Sequence, residues 1–293
     1  MQFPEGAKVA LVNPGTNPEL AFHEPLNIGF LAGYLEQHGY EVRIIDELAG
    51  QDVARAIDAF SPHLVGITGT TPVIPHAYQH AAYARKKGIP VVLGGVHSGV
   101  CTAEAMQHCD VVVKGEGEVA LLEILQKGIT PELRQSKLLQ GTPIKDLDTI
   151  PFPARHLMDM DFYVRVKQRV EQTHLYFVDH QDRVAGVLSS RGCPYFCAFC
   201  HNNWRETPLR CMTPERTIDE LEHLKRDFGV TAVFFMDDDL FANKPRIKRL
   251  CELMIERRLN LKWGCQARVK AKAVNEEMLR LAYRAGCRQM SFG

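Results

Sequence analysis

Along the first 130 residues, short runs of consecutive apolar positions alternate with longer stretches whose apolar positions recur every three or four residues. The runs lie at 9–12, 42–45, 64–68, 91–93 and 111–113 and are rich in Val and Ile, the pattern of parallel strands buried on both faces. Between them, Ile28, Leu31 and Leu35 share one helical face and Gly39 stands where that helix should stop. Further helices are expected at 52–60, closed by Ser61-Pro62, at 75–87, stopped by Gly88, at 103–108, and at 118–127, stopped by Gly128. Five strand–helix units predict an α/β domain with a doubly wound, five-stranded parallel sheet. Its ligands should sit at the carboxyl ends of the strands.

From 128 to 163 the alternation breaks. Pro131, Pro143, Pro151 and Pro153 fall here with Gly128 and Gly141, which suggests a crossover segment. The alternation then resumes. A strand is expected at 184–189, and a helix opened by Thr213-Pro214 follows, with Ile218, Leu221 and Leu224 on one face and Gly229 at its end. Strands at 232–236, 262–265 and 288–292 alternate with helices at 246–257 and 275–285. The division is 1–140, a linker at 141–183, and a partial β/α barrel at 184–293. A parallel strand with no helix after it leaves an open sheet edge, so the barrel is expected to be incomplete at its C-terminal end.

Composition adds limits. The 293 residues are 45% hydrophobic and 24% charged, ordinary for a globular protein, and the formal net charge is zero. No apolar run approaches the ~20 residues that span a bilayer. The N-terminus has no basic start leading into an apolar stretch, so a cytoplasmic location is expected. Zero net charge gives no global footprint for nucleic acid, although 244–288 holds 13 Lys/Arg against 4 Asp/Glu. Solvated helix faces with some anion contacts explain that excess more simply. Nine cysteines, an odd number without framework spacing, point to metal or redox chemistry rather than disulfides.

Three of those cysteines fall within eight residues, in Arg191-Gly-Cys193-Pro-Tyr-Phe-Cys197-Ala-Phe-Cys200. Soft thiolates so close together can reach one centre, either zinc or iron–sulfur. A structural zinc site wants four ligands, usually as two separated pairs. Here there is one triplet, and His201 adjoins Cys200 too closely to complete a tetrahedron easily. Cys101, Cys109, Cys211, Cys251, Cys265 and Cys287 are expected as small buried residues.

The Cys-x3-Cys-x2-Cys spacing at a strand-to-helix loop, with Phe199 just before the third cysteine, resembles the signature of radical S-adenosylmethionine (SAM) enzymes. The resemblance implies a [4Fe-4S] cluster on Cys193, Cys197 and Cys200, SAM chelated by the fourth iron, and Phe199 near the adenine. It also implies an electron donor such as flavodoxin or ferredoxin. The run Met236-Asp237-Asp238-Asp239-Leu-Phe241 is similar to the polar motif that receives the SAM amino group in the subclass with an N-terminal cobalamin domain. Which aspartate makes that contact stays open, and an acid run at a strand end can also be a solvated turn. Leu147-Asp148-Thr-Ile-Pro151-Phe-Pro153-Ala154-Arg155 resembles the inter-domain segment of the same subclass.

In the first half, the strand ends carry Asn13-Pro14-Gly15, Thr68-Gly69-Thr70-Thr71, Gly94-Gly95-Val96-His97 and Gly115-Glu116-Gly117-Glu118. Glycine allows close backbone approach to a ligand, although plain glycine turns read the same way. Gly115-x-Gly117-x-x-Ala120 formally matches a dinucleotide fingerprint. It follows the fifth strand rather than the first, and no strand-ending acid stands about 20 residues on. The resemblance instead implies cobalamin binding by Asn13, Gly15, Thr68, Thr70, Gly94, Gly95, His97, Gly115 and Glu116. The Asp-x-His-x-x-Gly pattern that supplies a histidine to cobalt in some cobalamin domains is missing. His23, the one histidine between 14 and 27, is expected as a surface or loop residue, and cobalt is expected to carry no histidine.

The implied reaction is reductive cleavage of SAM to a 5′-deoxyadenosyl radical, with methylcobalamin donating a methyl group to an unreactive carbon of a small molecule. Cyclisation or rearrangement is the second choice. A cofactor sensor without turnover and a radical SAM RNA-modifying enzyme are the alternatives. The first half lacks the three extra cluster cysteines that methylthiotransferases carry.

Overall fold

The computed structural model describes residues 1–17, 22–170, 174–200, 208–269 and 274–293. The chain divides into two compact units. The first comprises Met1–Ala21, Asn27–Ile144 and Ile150–Asp159, the second Phe22–Leu26, Lys145–Thr149 and Met160–Gly293. No helix among the described residues is long and apolar enough to cross a membrane.

The first unit is built on strands β1 (Lys8–Asn13), β2 (Glu41–Asp46), β3 (Leu64–Ile67), β4 (Val91–Leu93), β5 (Val111–Lys114) and β6 (Leu138–Gln140). All pair in parallel, in the order β2-β1-β3-β4-β5-β6. Successive strand residues face opposite sides, so each strand feeds two cores. Val9 and Leu11 pack with Ile28, Ala32 and Leu35 on one face. Ala10 and Val12 pack with Ile74, Ala77, Ala81 and Ala84 on the other. The helix after β1, Leu26–Gln37, and the helix after β3, Ile74–Lys86, therefore leave on opposite sides of neighbouring strands. That divergence makes a topological switch point, the place where open α/β sheets leave a crevice.

Two local differences from the sequence reading have physical reasons. A sixth strand, β6, extends the five expected ones, preceded by the short helix Pro131–Ser136. Three residues with two exposed side chains carry no apolar run to announce it. After β4 the chain turns at once into Gly95–Val100 and then Thr102–Ala105. The sequence reading places one helix at 103–108, whereas the positive φ of Gly95 lets the backbone turn into a helix directly after the strand.

The proline-rich stretch is packed rather than loose. The Ala154 N–H donates to the Gly29 carbonyl at 2.9 Å. A Cβ on Gly33 would stand 2.7 Å from the Phe152 carbonyl oxygen, so that helix face must be glycine for the segment to lie against it.

In the second unit, β7 (Val184–Val187), β10 (Ala232–Phe235), β11 (Lys262–Ala267) and β12 (Cys287–Phe292) form a parallel sheet in the order β12-β11-β10-β7. Between β7 and β10 in the chain, β8 (Ser190–Arg191) and β9 (Arg210–Cys211) make a two-stranded antiparallel ribbon. Each connecting helix is capped by a side chain: Thr213 for Pro214–Phe228, Asn243 for Lys244–Glu256, and Asn275 for Glu276–Arg284. Such caps contribute about 1 kcal/mol each. Strands neighbouring in sequence neighbour in the sheet, as in a partial β/α barrel.

Candidate functional site

Three strand ends of the second unit meet at one rim. The loop after β7 carries Cys193, Cys197 and Cys200, all free thiols and all partly exposed. The Cys200 N–H donates to the Cys197 carbonyl at 2.9 Å, folding the loop back on itself. From beyond β11, Arg268 Nη1 donates to Cys197 Sγ at 3.4 Å, and the guanidinium stands 4.1 Å from the centre of the Tyr195 ring. Burial pushes the Cys193 thiol up, and the negative charges of Asp238 and Asp239, after β10, push it further the same way. Three thiols, one cation and an acid run suit an iron–sulfur centre, whose thiolates each hold a different iron. Phe199 is 94% exposed, and His201 lies outside the described residues.

The aspartates of the run do different things. Asp237 is buried and accepts hydrogen bonds from the Ser189 N–H at 3.2 Å, from the Ser189 hydroxyl at 2.9 Å and from the Ser190 hydroxyl. Burial raises its pKa, opposed by Arg246 and these donors. Arg246, also buried, donates to the carbonyls of Met212 at 2.7 Å and Ser189 at 2.9 Å. Asp239 is buried and caps the short 3-10 turn Leu240–Ala242 through the Phe241 N–H at 3.1 Å. Asp238 is the exposed member. Neither Arg268 nor Arg246 stood out in the sequence, since both belong to the basic stretch read as solvated.

In the first unit, the ends of neighbouring strands β1, β3, β4 and β5 bring together Asn13, Thr68, Gly94 and Gly115. Asn13 Nδ2 donates to Asp46 at 2.9 Å, and the Gly15 N–H to Glu47 at 2.7 Å. Thr68 accepts from Asn27 at 2.9 Å, and Thr70 is exposed. Glu116 accepts from the Ile144 N–H at 3.1 Å. The two central glycines differ. Gly95, at φ +87°, approaches the Gly69 backbone so closely that a Cβ would stand 2.9 Å from its nitrogen. Gly94 has extended backbone, and its nearest neighbour would be 3.9 Å from a Cβ, leaving room for a ligand. His97 is buried and turned onto Thr71 and Tyr78.

His23 departs from the surface position expected of it. Both ring nitrogens are enclosed without hydrogen-bond partners, and the ring stacks on Phe234 with centroids 5.6 Å apart. Burial, with His174 beside it, pushes its pKa down to about 3. Of the six other cysteines, Cys109, Cys251, Cys265 and Cys287 are buried as expected, whereas Cys101 and Cys211 are partly exposed.

Residues 20–125 match the B12 binding domain family, and residues 187–293 match the Radical SAM superfamily. Together the two matches support a cobalamin-dependent radical SAM family for this chain. Curated relatives extend the likeness across both halves. An uncharacterized methyltransferase of Pyrococcus horikoshii is 29% identical over 98% of this chain and 65% of its own length. The anaerobic magnesium-protoporphyrin IX monomethyl ester cyclase of Rubrivivax gelatinosus is 28% identical over 92% of this chain and 51% of its own. The chain thus spans about half to two thirds of the curated relatives it matches. The radical SAM methyltransferase TsrM of Kitasatospora setae, solved with cobalamin and a [4Fe-4S] cluster, superimposes with a TM-score of 0.72 at 18% identity, covering 98% of this chain and 61% of TsrM. This chain therefore shares TsrM's fold, with a parallel α/β sheet in each half.

Proposed function

We propose that this chain is the cofactor-bearing part of an enzyme that methylates an unactivated carbon of a small molecule. The observation that carries the reading is the convergence of Cys193, Cys197, Asp238, Asp239 and Arg268 on one rim of the second unit. Cys193, Cys197 and Cys200 would hold a [4Fe-4S] cluster. Asp238, exposed where Asp237 and Asp239 are buried, is our choice for the SAM amino group. Once bound, the cluster would supply the electron that cleaves SAM, and cobalamin would carry the methyl group.

The chain's own residues orient and enclose. Asp237 and Arg246 fix the start of the cysteine loop, and Arg268 holds Cys197 and Tyr195. In the first unit, Gly94 offers open backbone beside Asn13, Thr68, Thr70, Gly115 and Glu116, the cradle we assign to cobalamin. No histidine is assigned to cobalt. The Asp-x-His-x-x-Gly pattern is missing, and the His23 ring is occupied by Phe234 and His174. An electron donor of the flavodoxin or ferredoxin kind would reduce the cluster.

Cyclisation is the second reading, favoured by relatives named as magnesium-protoporphyrin monomethyl ester cyclases at 28% and 27% identity. Anaerobic incubation of the reconstituted chain with SAM, cobalamin and reductant tests the enzyme reading. SAM consumption that disappears when the three loop cysteines become alanine is expected. Binding of both cofactors without SAM consumption would make the chain a sensor instead.

A further inference from the structure

Away from the cysteine loop, in the first unit, His97, Cys101 and Glu104 each offer a ligand atom, and these atoms all lie within 4.8 Å of one another. The local fold explains the convergence. Gly95, at positive φ, starts the helix Gly95–Val100, and Cys101 joins it to Thr102–Ala105, its N–H bonded to the His97 carbonyl at 2.7 Å. Spacings of four and three residues then bring the three side chains onto one side.

The imidazole is prepared as a ligand. His97 is 6% exposed, with Nδ1 3.1 Å from the Thr71 hydroxyl. Its Nε2 is buried without a hydrogen-bond partner and stands 3.6 Å from Glu104 Oε1. If Thr71 accepts the Nδ1 proton, Nε2 presents a lone pair toward the thiol and the carboxylate, the arrangement that supports metal-bound histidines. An unpaired buried nitrogen is costly, and a cation would offset that cost. Glu104 is oriented in turn: its Oε1 accepts from the Tyr78 hydroxyl at 3.0 Å, and the Tyr78 ring stacks on His108 with centroids 3.8 Å apart.

We propose that His97 Nε2, Cys101 Sγ and the Glu104 carboxylate bind a divalent cation of borderline softness, Zn(II) in the first instance. Nitrogen, sulfur and oxygen are the three donor types zinc accepts, whereas calcium and magnesium want oxygen throughout. Three protein ligands leave the fourth tetrahedral position for water. Binding forms a Zn–S bond and releases the Cys101 thiol proton to solvent. Burial falls from His97 through Cys101 to the half-exposed Glu104, so the cation enters from the Glu104 side. His97 then serves the ion rather than cobalamin, and the ion pins the segment that follows Gly94.

The test uses the full chain with Cys193, Cys197 and Cys200 changed to alanine, stripped with chelator and titrated anaerobically with Co(II). One Co(II) per chain is expected, with thiolate-to-cobalt charge-transfer absorbance that Zn(II) abolishes. Cys101→Ser should lose that absorbance. Glu104→Gln should weaken binding about tenfold or more, and Thr71→Val about tenfold. No Co(II) uptake, or absorbance that survives Cys101→Ser, overturns the proposal. Because Glu104 is half exposed, Glu104→Gln should unfold like its parent in chelator, and Zn(II) should raise the parent's melting temperature more than the variant's. Equal shifts in both also overturn the proposal. Should the triple-alanine chain not fold, zinc analysis of the iron-loaded wild type decides instead. One zinc per chain lost in Cys101→Ser supports the site, and none in the wild type removes it.

Discussion

Asp237 and Ser189 are joined twice, by the backbone N–H at 3.2 Å and the hydroxyl at 2.9 Å, both inside the protein. The acid run after β10 is thereby tied to the residue just ahead of the cysteine loop. Asp237→Ala leaves the two Ser189 donors without their acceptor and removes the negative charge that offsets Arg246, and should cost about 3 kcal/mol or more. Asp238→Ala, at an exposed position, should change stability by no more than about 0.5 kcal/mol while weakening SAM binding. Urea unfolding and equilibrium dialysis with SAM separate the two. Equal stability losses would undo the division of labour between them.

The loop thiols are the clearest chemical target. Reconstituted chain should hold about four irons and four sulfides. Changing Cys193, Cys197 and Cys200 together to alanine should remove the iron and the visible charge-transfer absorbance. Retention of a full iron complement in that variant would reject the assignment.

Gly94 and Gly95 should separate ligand binding from folding. Gly95→Ala forces a side chain into positive φ and onto the Gly69 backbone, at a cost of about 2 kcal/mol or more. Gly94→Val adds bulk where, among the described residues beyond its chain neighbours, the Val113 carbonyl oxygen stands nearest to a Cβ at 3.9 Å, so the fold should persist while cobalamin uptake falls. Thermal melts alongside cobalamin dialysis decide, and undiminished uptake by Gly94→Val would remove Gly94 from the cradle.

His23 makes the protein acid-sensitive. Its folded pKa, about 3, lies below the ordinary 6.5, so the unfolded chain binds a proton that the native state refuses. Stability is full above the ordinary value and drains as pH falls from there toward about 3. Between about pH 6.5 and 4.5 the loss should be roughly 2–3 kcal/mol at 1.36 kcal/mol per unit. His23→Phe, which keeps a ring against Phe234, should lose less over that interval. Identical acid shifts of the urea midpoint in both proteins would contradict this.

What the sequence could tell depended on how local the signal was. The strands of the first unit announce themselves because Val and Ile recur on both faces of a parallel sheet, and capping residues such as Asp52, Thr213 and Asn275 mark helix starts through their own side chains. The cysteine triplet was legible because its three thiols fall within eight residues of chain. Strand β6 was not, being three residues held only by its neighbour β5. His23 was misjudged because its enclosure comes from Phe234 and His174, distant in the chain. Arg246 and Arg268 hid among exposed cations, since charge alone does not say which guanidinium folds inward. The grouping of His97, Cys101 and Glu104 had a readable spacing, but two short helices had to be known before it meant anything.

The buried Glu24 accepts the backbone N–H of Gly186 at 3.0 Å, across 162 residues of chain. Both belong to the second unit, although Glu24 is flanked in sequence by the first. A ribosome adding about 5–20 residues per second delivers Gly186 roughly ten to thirty seconds after Glu24. Throughout that interval an acid destined for the interior waits without the Gly186 N–H while the first unit's sheet is already being made. Nascent chains arrested before Gly186 should therefore present 22–26 to proteases, and release past it should protect them, so synthesis itself sets the order in which the two units are finished.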